Sequence, residues 1–340
     1  MYFNLYLVIY LLIIIMNKLK KILITGESGF IGSHLIKHFV CKYPNYIIHG
    51  LDSLTYAANK DFTKDLVSHP NYFFHQIDIR NRNDLIDFFI NNQISDVIHL
   101  AAESHVDNSI VNPLVFAETN ILGTINLLDA FKQVSLGRFH HVSTDEVYGD
   151  LNVNDVPFDE SFPYAPNSPY AASKASSDHF IRAYHRTYEI DSVITNCSNN
   201  YGPHQHKEKF IPTILMSILN NKSIPIYGTG NNIRDWLYVQ DHVEAIDIIF
   251  HNGPSGETYN IGANNEITNL DLVHHICDIC FEKKIHPSPK ELISFVSDRL
   301  GHDMRYAINF SKLQDQLSWT PRFDFKKSLL YTVEWYLANC

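Results

Sequence analysis

Two groups of residues in this chain could do chemistry together. Tyr170 is followed four residues later by Lys174, and Thr144, Asp145 and Glu146 stand in a row. A phenol with a pKa of about 10 is a poor base at neutral pH, and lowering that by about three units takes roughly 4 kcal/mol of differential stabilisation. Residues four apart share one helix face, so the Lys174 ammonium is expected one turn behind the phenol, with a nicotinamide cation adding to its effect. A phenol activated in this way takes a proton from a sugar hydroxyl during hydride transfer. Two carboxylates in one desolvated site split their pKa values, one staying protonated as an acid and the other ionised as a base, as an elimination requires. Neither signal is specific alone. Tyr-x-x-x-Lys also marks solvated helix faces, and acidic dipeptides are mostly solvated turns.

Position decides the reading. Tyr170 opens a helical pattern behind the turn-rich Pro166-Asn167-Ser168-Pro169, and Asp145 and Glu146 follow the strand-like run Phe139 to Ser143. Adjacent strand residues point to opposite faces, so the chain must leave β geometry near Thr144 if both carboxylates are to meet one substrate. Similar runs at Lys21 to Thr25, Tyr46 to Asp52, Tyr72 to Asp78, Asp96 to Ala101 and Asp191 to Cys197 alternate with helical patterns. This alternation predicts an α/β fold: a doubly wound parallel Rossmann sheet with a smaller C-terminal substrate-binding domain. Ligands of such sheets sit beyond the carboxyl ends of the strands. Asp52, Asp78, Ala101-Ala102-Glu103-Ser104, the acidic pair and Asn199-Asn200 all fall there. After Asn200 the alternation gives way to segments punctuated by Tyr201-Gly202-Pro203 and Tyr227-Gly228-Thr229-Gly230. The expected division is residues 16–198 and 235–261 for a cofactor domain, 199–234 and 262–340 for a substrate domain, and 1–15 as an apolar N-terminal extension.

The cofactor is read from Thr25-Gly26-Glu27-Ser28-Gly29-Phe30-Ile31-Gly32, which joins the apolar run Ile22-Leu23-Ile24 to a helical pattern carrying Leu35, Ile36, Phe39 and Val40. Gly26 suits the tight turn, Gly29 the approach of a pyrophosphate to the backbone, and Gly32 close helix packing, with the anion at the helix N-terminus. Asp52 ends the next strand-like run, where a carboxylate accepts from adenosine ribose hydroxyls. With Ser53 rather than an arginine beside it, NAD is expected over NADP. Glu27 is out of place near phosphate, and its side chain is expected to point outward.

Composition agrees with a soluble cytoplasmic enzyme. The chain has 340 residues, a net charge of −10 and a pI near 6.0, which argues against a nucleic-acid surface. Five cysteines, an odd number, suggest free thiols in a reducing compartment. Cys277-x-x-Cys280 behind His274-His275 has a metal-like look. However, Leu270, Val273, Cys277 and Cys280 share one helical face after a possible Asn269 cap, so core packing is expected and no metal. Residues 1–15 are almost wholly apolar, yet as a helix they would span roughly 22 Å against a hydrocarbon core of about 30 Å. An extension without function is expected there, with a weak membrane anchor as the alternative.

From about residue 20 onward the chain resembles the extended short-chain dehydrogenase/reductases, and among their branches most closely the dTDP-glucose 4,6-dehydratases. The resemblance rests on the glycine turn, on Asp52-Ser53-Leu54-Thr55-Tyr56-Ala57 and on Leu100-Ala101-Ala102-Glu103-Ser104-His105-Val106-Asp107. It continues through Ser143-Thr144-Asp145-Glu146-Val147-Tyr148-Gly149, Ser168 to Lys174, Asn196 to Pro203, Arg234-Asp235-Trp236-Leu237-Tyr238-Val239 and Asp298-Arg299-Leu300-Gly301-His302-Asp303. The Thr-Asp-Glu triplet is the specific element, since epimerases of the superfamily usually carry small hydroxyl residues there. The resemblance implies that Tyr170 deprotonates a glucose 4-hydroxyl as hydride passes to NAD, with Thr144 bonded to the same oxygen and Lys174 behind the phenol. It further implies that Glu146 removes the C5 proton, Asp145 protonates the departing 6-hydroxyl, and the hydride returns to C6.

For NAD the resemblance implicates Gly26, Gly29, Phe30, Ile31 and Gly32, then Asp52, Ser53, Leu54 and Thr55, then Asp78 and Ile79. Leu100, Ala101, Ala102, Ser104, Thr119, Tyr170, Lys174 and Asn200 complete that set. For the nucleotide sugar it implicates Ser104, His105, Thr144, Asp145, Glu146, Asn199, Lys209 and Phe210. Pro225, Ile226, Tyr227, Arg234, Asn269, Asp298, Arg299 and His302 complete the second set, with Arg234 and Arg299 expected to make bidentate bonds to phosphate. Phe210, Leu300 and His204-Gln205-His206 depart from the pattern and bear on the choice between thymine and uracil. Cys197-Ser198-Asn199-Asn200 and Arg234-Asp235-Trp236 look like the dTDP forms. A homodimer is implied, packing the helix around Leu114 to Phe131 against the one following Tyr170. The alternatives are a UDP-glucose 4,6-dehydratase or 4-epimerase, and an NAD-binding regulator without redox activity.

Overall fold

The computed structural model describes residues 20–134 and 137–339. The expectation for residues 1–15 lies outside the described residues. β1 (Lys21–Thr25) is buried from Ile22 onward, which is why it reads as an unbroken apolar run. Its side chains alternate between two cores. Ile22 and Ile24 enter the one shared with Leu35, Ile36 and Phe39, while Leu23 enters the one shared with Leu85, Phe131 and Phe139. Helices Phe30–Lys42 and Val239–Asn252 contribute to the first core, and helices Arg82–Asn92, Gly123–Val134 and Pro169–Tyr188 to the second. Burying each large apolar side chain contributes about 1.5–3 kcal/mol.

Seven strands form the main sheet, every neighbouring pair parallel. Their order is β10 (Thr258–Ile261), β6 (Asp191–Cys197), β5 (Arg138–Thr144), β4 (Asp96–His99), β1, β2 (Ile47–Asp52) and β3 (Tyr72–Gln76). The doubly wound parallel sheet expected from the alternation is present. From β1 the chain winds to β2 and β3 on one side and to β4, β5 and β6 on the other, so the connections diverge and open a crevice. Register brings the site residues level. Thr25 pairs with both Leu51 and His99, and Thr144 pairs with Cys197.

The remaining strands gather apart from this sheet. β9 (Ile233–Tyr238) pairs with β7 (Asn199–Tyr201), β11 (Glu266–Thr268) and β13 (Arg305–Tyr306), and β8 (Ile224–Tyr227) pairs with β12 (Ile293–Val296). Around them a third core holds Ile211, Leu215, Trp236, Leu272, Cys277 and Cys280. Both thiols are therefore core side chains of helix Asn269–Glu282. Its cap is Thr268 rather than Asn269: the Thr268 hydroxyl accepts from the Asp271 amide, and Asn269 is the first helical residue. Among the described residues, one helical stretch, Pro113–Val134, is long and apolar enough to cross a membrane. It carries core residues Leu127, Leu128 and Phe131, and between Ala117 and Leu122 its hydrogen bonding loosens to a π-helix.

Candidate functional site

The glycine turn leaves β1 with Gly26 at φ +72°, a left-handed conformation natural to glycine, and with its amide bonded to Leu51 O. A Cβ on Gly32 would sit 2.0 Å from Gly26 O, so helix Phe30–Lys42 packs on the turn only because Gly32 has none. This places the amino end of the helix at the mouth of the crevice. Asp52 ends β2 beside it, accepting from the Ser28 amide at 3.1 Å and the Leu54 amide at 2.8 Å. Leu54 reaches that bond by adopting φ 58° and is not among the residues lining the cavity. Glu27 does not point outward. Its buried carboxylate accepts from Tyr72 Oη and Ser28 Oγ, both at 2.9 Å, and burial raises its pKa. The negative charge is thereby removed from the anion's path inward, towards β3.

The crevice holds a cavity of about 340 Å³. Gly26, Gly29, Phe30, Ile31, Gly32, Asp52, Ser53 and Thr55 line its first part. Asp78, Ile79, Leu100, Ala101, Ala102, Ser104 and Thr119 line its middle. Thr144, Asp145, Glu146, Tyr170, Lys174, Asn199, Asn200 and Lys209 line the far end. A glycine cradle at a helix N-terminus, followed by a strand-end carboxylate, fits the dinucleotide expected from the sequence.

β5 ends at Thr144 and the chain turns into a short 3₁₀-helix, Asp145–Tyr148, so both carboxylates are delivered to one end of the cavity as strand geometry is abandoned. Thr144 caps that turn, accepting from the Glu146 amide at 3.3 Å and donating to Asp145 Oδ1 at 3.4 Å. Opposite, Ser168 caps helix Pro169–Tyr188 and fixes where Tyr170 begins. Such a cap contributes about 1 kcal/mol. The carboxyl pair is split electrostatically. Burial and the adjacent Glu146 push the Asp145 pKa well above the usual carboxylate range. Burial raises Glu146 too, but Arg299, Arg234 and Lys209 oppose it. Asp145 is therefore suited to giving a proton and Glu146 to taking one.

Lys174 does not sit as expected. Its ammonium is turned into β5, donating to Val142 O at 2.9 Å and lying 3.3 Å from His141 Nε2. Burial brings its pKa down to about 8, with Asp178 the first group opposing that. In the protein alone, burial and Glu146 raise the pKa of Tyr170, and the group acting to lower it is the nearby Thr144 hydroxyl. Helical spacing brought the two residues to one face; the buried acceptors on β5 decided where the amine points.

The residues expected to hold the sugar nucleotide divide. Arg299, Arg234 and Lys209 converge on Glu146, and Lys209 Nζ donates to Ser104 O at 2.8 Å. Tyr227 Oη donates to Asp107 Oδ2 at 3.2 Å, with Arg299 Nη1 3.6 Å from the other oxygen of that carboxylate. Asp298 and His302 pair at 2.7 Å, and the His302 ring lies 6.1 Å from that of Tyr227. Arg234 corrects the bidentate expectation. Its Nη1 and Nη2 already donate to the carbonyls of Ile233, Asp303 and Met304, and the guanidinium stacks on Tyr306 at 4.2 Å, leaving a smaller part for phosphate. Arg299 has a buried Nε–H without a partner and is the freer donor. Ile226 points into the third core while Pro225 is exposed beside it, so the Ile226 side chain cannot meet a nucleotide. Phe210 stacks near Trp236 with ring centroids 6.5 Å apart, His105 Nδ1 accepts from the Asn108 amide, and Asn269 bonds through its amide to Asn232 O. None of these last three lines the cavity.

Several residues of the site carry no local sequence signal. Asn120, in the π-helical segment, accepts from the Glu103 amide and donates to Glu103 O and Ser173 Oγ, tying the loop after β4 to the Tyr170 helix. Asp178, one helical turn beyond Lys174, accepts from Ser143 Oγ at 3.0 Å and Tyr164 Oη at 2.9 Å. Tyr56 Oη donates to Glu208 Oε1 at 3.1 Å, joining the loop after β2 to the segment before helix Phe210–Leu219. Each depends on partners distant in sequence.

Comparison with known proteins agrees with this geometry. The family model for GDP-mannose 4,6 dehydratase matches residues 23–330. A dTDP-glucose 4,6-dehydratase of Salmonella typhimurium is 48% identical over 94% of this chain and 93% of its own. One from Escherichia coli K12 is 46% identical over the same shares. The crystal structure of a dTDP-glucose 4,6-dehydratase from Streptomyces venezuelae, solved with NAD and TYD bound, superposes with a TM-score of 0.89 at 41% identity, covering 94% of this chain and 97% of that one.

Proposed function

The chain belongs to the family described as GDP-mannose 4,6 dehydratase, and within it to the dTDP-glucose 4,6-dehydratases, and on that footing we propose how its residues divide the reaction. It is a hydro-lyase that converts dTDP-glucose to the 4-keto-6-deoxy sugar nucleotide, with NAD as cofactor. NAD, when bound, takes hydride from C4 and returns it at C6. Tyr170 Oη takes the proton of the 4-hydroxyl. The ketone so formed acidifies C5–H, which Glu146 removes, and Asp145 gives its proton to the departing 6-hydroxyl. Lys174 holds the cofactor's nicotinamide ribose, while Gly26, Gly29 and Gly32 shape the pyrophosphate cradle and Asp52 meets the adenosine ribose. Arg299 and Lys209, with the remaining donors of Arg234, hold the diphosphate.

The observation that carries this reading is the split carboxyl pair in the same cavity as Tyr170 and the glycine turn. An enzyme that only inverted C4 would have nothing to protonate at C6. The division into cofactor and substrate parts, with the boundaries read from the sequence, belongs to the same proposal. So does a homodimer through the helices around Leu114 to Phe131 and after Tyr170, which carry exposed Leu114, Leu122 and Phe180. Unbridged Cys277 and Cys280 support a reducing, cytoplasmic setting.

The test is incubation of the purified protein with dTDP-glucose or UDP-glucose and no added cofactor, with nicotinamide measured in an extract of the protein. Bound nicotinamide and 4-keto product from dTDP-glucose are expected. Absence of both rejects the reading. Light scattering at micromolar concentration checks assembly, a monomer rejecting the dimer.

A further inference from the structure

With the function proposed above as its footing, redox balance makes unequal demands on the two ends of the cavity. Hydride taken from C4 is returned to C6 of the same sugar, so NAD ends each turnover as it began and need not leave, whereas a sugar nucleotide must enter and its product depart every time. The contacts that cross the cavity fall into two sets along the same division. At the sugar-nucleotide end Lys209 Nζ donates to Ser104 O at 2.8 Å, Tyr227 Oη donates to Asp107 Oδ2 at 3.2 Å, and Arg299 Nη1 lies 3.6 Å from Asp107 Oδ1. Lys209, Tyr227 and Arg299 are all read above as groups that meet the sugar nucleotide. An arriving substrate therefore competes for these contacts.

The crossing at the cofactor end uses no such group. The loop after β2 stands with both feet on the cradle: the Leu54 amide donates to Asp52 Oδ1 at 2.8 Å, and the Asn59 amide donates to Ser28 O of the glycine turn at 2.8 Å. Between them a turn closed by the Ala58 amide on Thr55 O, at 3.1 Å, carries Tyr56 at its tip. Thr55, Ala57 and Ala58 line the cavity, while Tyr56 does not line it and is exposed. Its hydroxyl reaches the opposite wall, donating to Glu208 Oε1 at 3.1 Å and accepting from Asn108 Nδ2 at 3.2 Å. Glu208 and His206 line the cavity from that side, and the His206 ring meets the phenol edge-on with centroids 5.6 Å apart. Burial and the Glu208 carboxylate push the phenol pKa up to about 12, so it stays a donor at neutral pH.

We propose that Tyr56 is a positioning residue that fastens the cofactor end of the cavity, bridging the loop after β2 to Glu208 and Asn108, so that NAD is retained while sugar nucleotides exchange at the other end. NAD lying between the cradle and that wall leaves only when the loop parts from Glu208. The bond holding them together has an ionised acceptor and is stronger than one between neutral groups. Substrate does not replace it, because neither Tyr56 nor its two partners meets the diphosphate. The two ends therefore open separately, and Tyr56 touches no reacting atom.

The test is release of labelled NAD, loaded into the purified protein by exchange, into an excess of unlabelled NAD. Tyr56→Phe keeps the ring and removes both hydrogen bonds, so release should quicken by at least about 10-fold, the order of one charge-assisted hydrogen bond. Steady-state activity of this variant should then depend on added NAD, while at saturating NAD its kcat and its KM for dTDP-glucose stay within about two-fold of the parent's. A general loosening of the fold would lower kcat as well. Glu208→Ala should also quicken release, and the double variant should release NAD no faster than Tyr56→Phe alone, since both substitutions cut the same link. In the parent, release during turnover of dTDP-glucose should be no faster than at rest. Release from Tyr56→Phe at the parent's rate, multiplication of the two single effects in the double variant, a fall in its kcat at saturating NAD, or faster release from the parent during turnover each overturns the proposal. Parent protein that holds no nicotinamide would instead reject the underlying reading of the site.

Discussion

Replacing Asp178 with asparagine removes the carboxylate that helps keep Lys174 charged. The Lys174 amine stands at about 8 because burial lowers it, with Asp178 and then Cys197 opposing. At pH 7 such a group is about 90% protonated, and a further fall of about two units would leave about 10%. Two units correspond to about 3 kcal/mol, the order lost when one partner of a buried charge pair is removed. Burial raises the Asp178 pKa, but Lys174, Arg182, Ser143 and Tyr164 all favour its ionised form. The other titratable neighbours of Lys174 are His141, His99 and Cys197; burial keeps both histidines neutral and the thiol protonated. Asparagine keeps the shape without the charge. Lys174 must be protonated to hold the nicotinamide ribose, so cofactor affinity is lost as pH rises through its pKa. That midpoint is expected near 8 in the parent and about two units lower in Asp178→Asn. The effect on stability has the opposite sense: a lysine depressed from 10.5 to about 8 weighs on the fold below pH 8 and is relieved as pH rises towards 10.5. Calorimetric titration of the cofactor between about pH 6 and 9, alongside kcat/KM over the same range, measures the midpoint. A variant whose midpoint coincides with the parent's would refute the reasoning.

Three further substitutions probe other parts of the argument. Gly32→Ala places a methyl 2.0 Å from the carbonyl oxygen of Gly26, a backbone atom that cannot rotate away, so loss of bound nicotinamide and destabilisation by about 1–3 kcal/mol are expected; an unchanged Tm and cofactor content would contradict this. Glu146→Gln should still oxidise C4 but leave C5–H in place, so reduced cofactor accumulates from the first turnover, exchange of C5 hydrogen with solvent stops and kcat falls by at least about 100-fold; exchange at the parent rate would show the base to be another residue. Burial raises Asp247, but donors from His251, His38, Lys42 and Tyr43 outweigh it and hold the carboxyl well below its usual range. Its contribution is therefore present above about pH 4 and lost as pH falls towards the native value, so Asp247→Asn should lose about 3 kcal/mol at pH 7, measured by urea unfolding, and little by comparison in strong acid.

The chain's local patterns determined the sheet, the glycine turn, Asp52 at a strand end, and the helix that opens with Tyr170. Each depends on near neighbours: apolar runs covered on both faces make parallel strands, Gly26 tolerates a positive φ, and Ser168 caps the helix it precedes. The acidic pair was legible for the same reason, because a strand end followed by a turn delivers both carboxylates to one end of the cavity. Side-chain direction was decided elsewhere. Glu27 turns inward because Tyr72, 45 residues away in sequence, offers a buried hydroxyl. Lys174 turns from the phenol to β5 because Val142 O and His141 lie there, with Asp178 opposing the cost of its burial. Arg234 gives donors to two carbonyls, Asp303 O and Met304 O, brought near by the segment before β13, besides that of its neighbour Ile233, and Ile226 faces a core whose other wall is a helix more than forty residues later. A desolvated polar group must find a partner among whatever the fold places within about 3 Å, and that set is assembled from segments far apart in the chain.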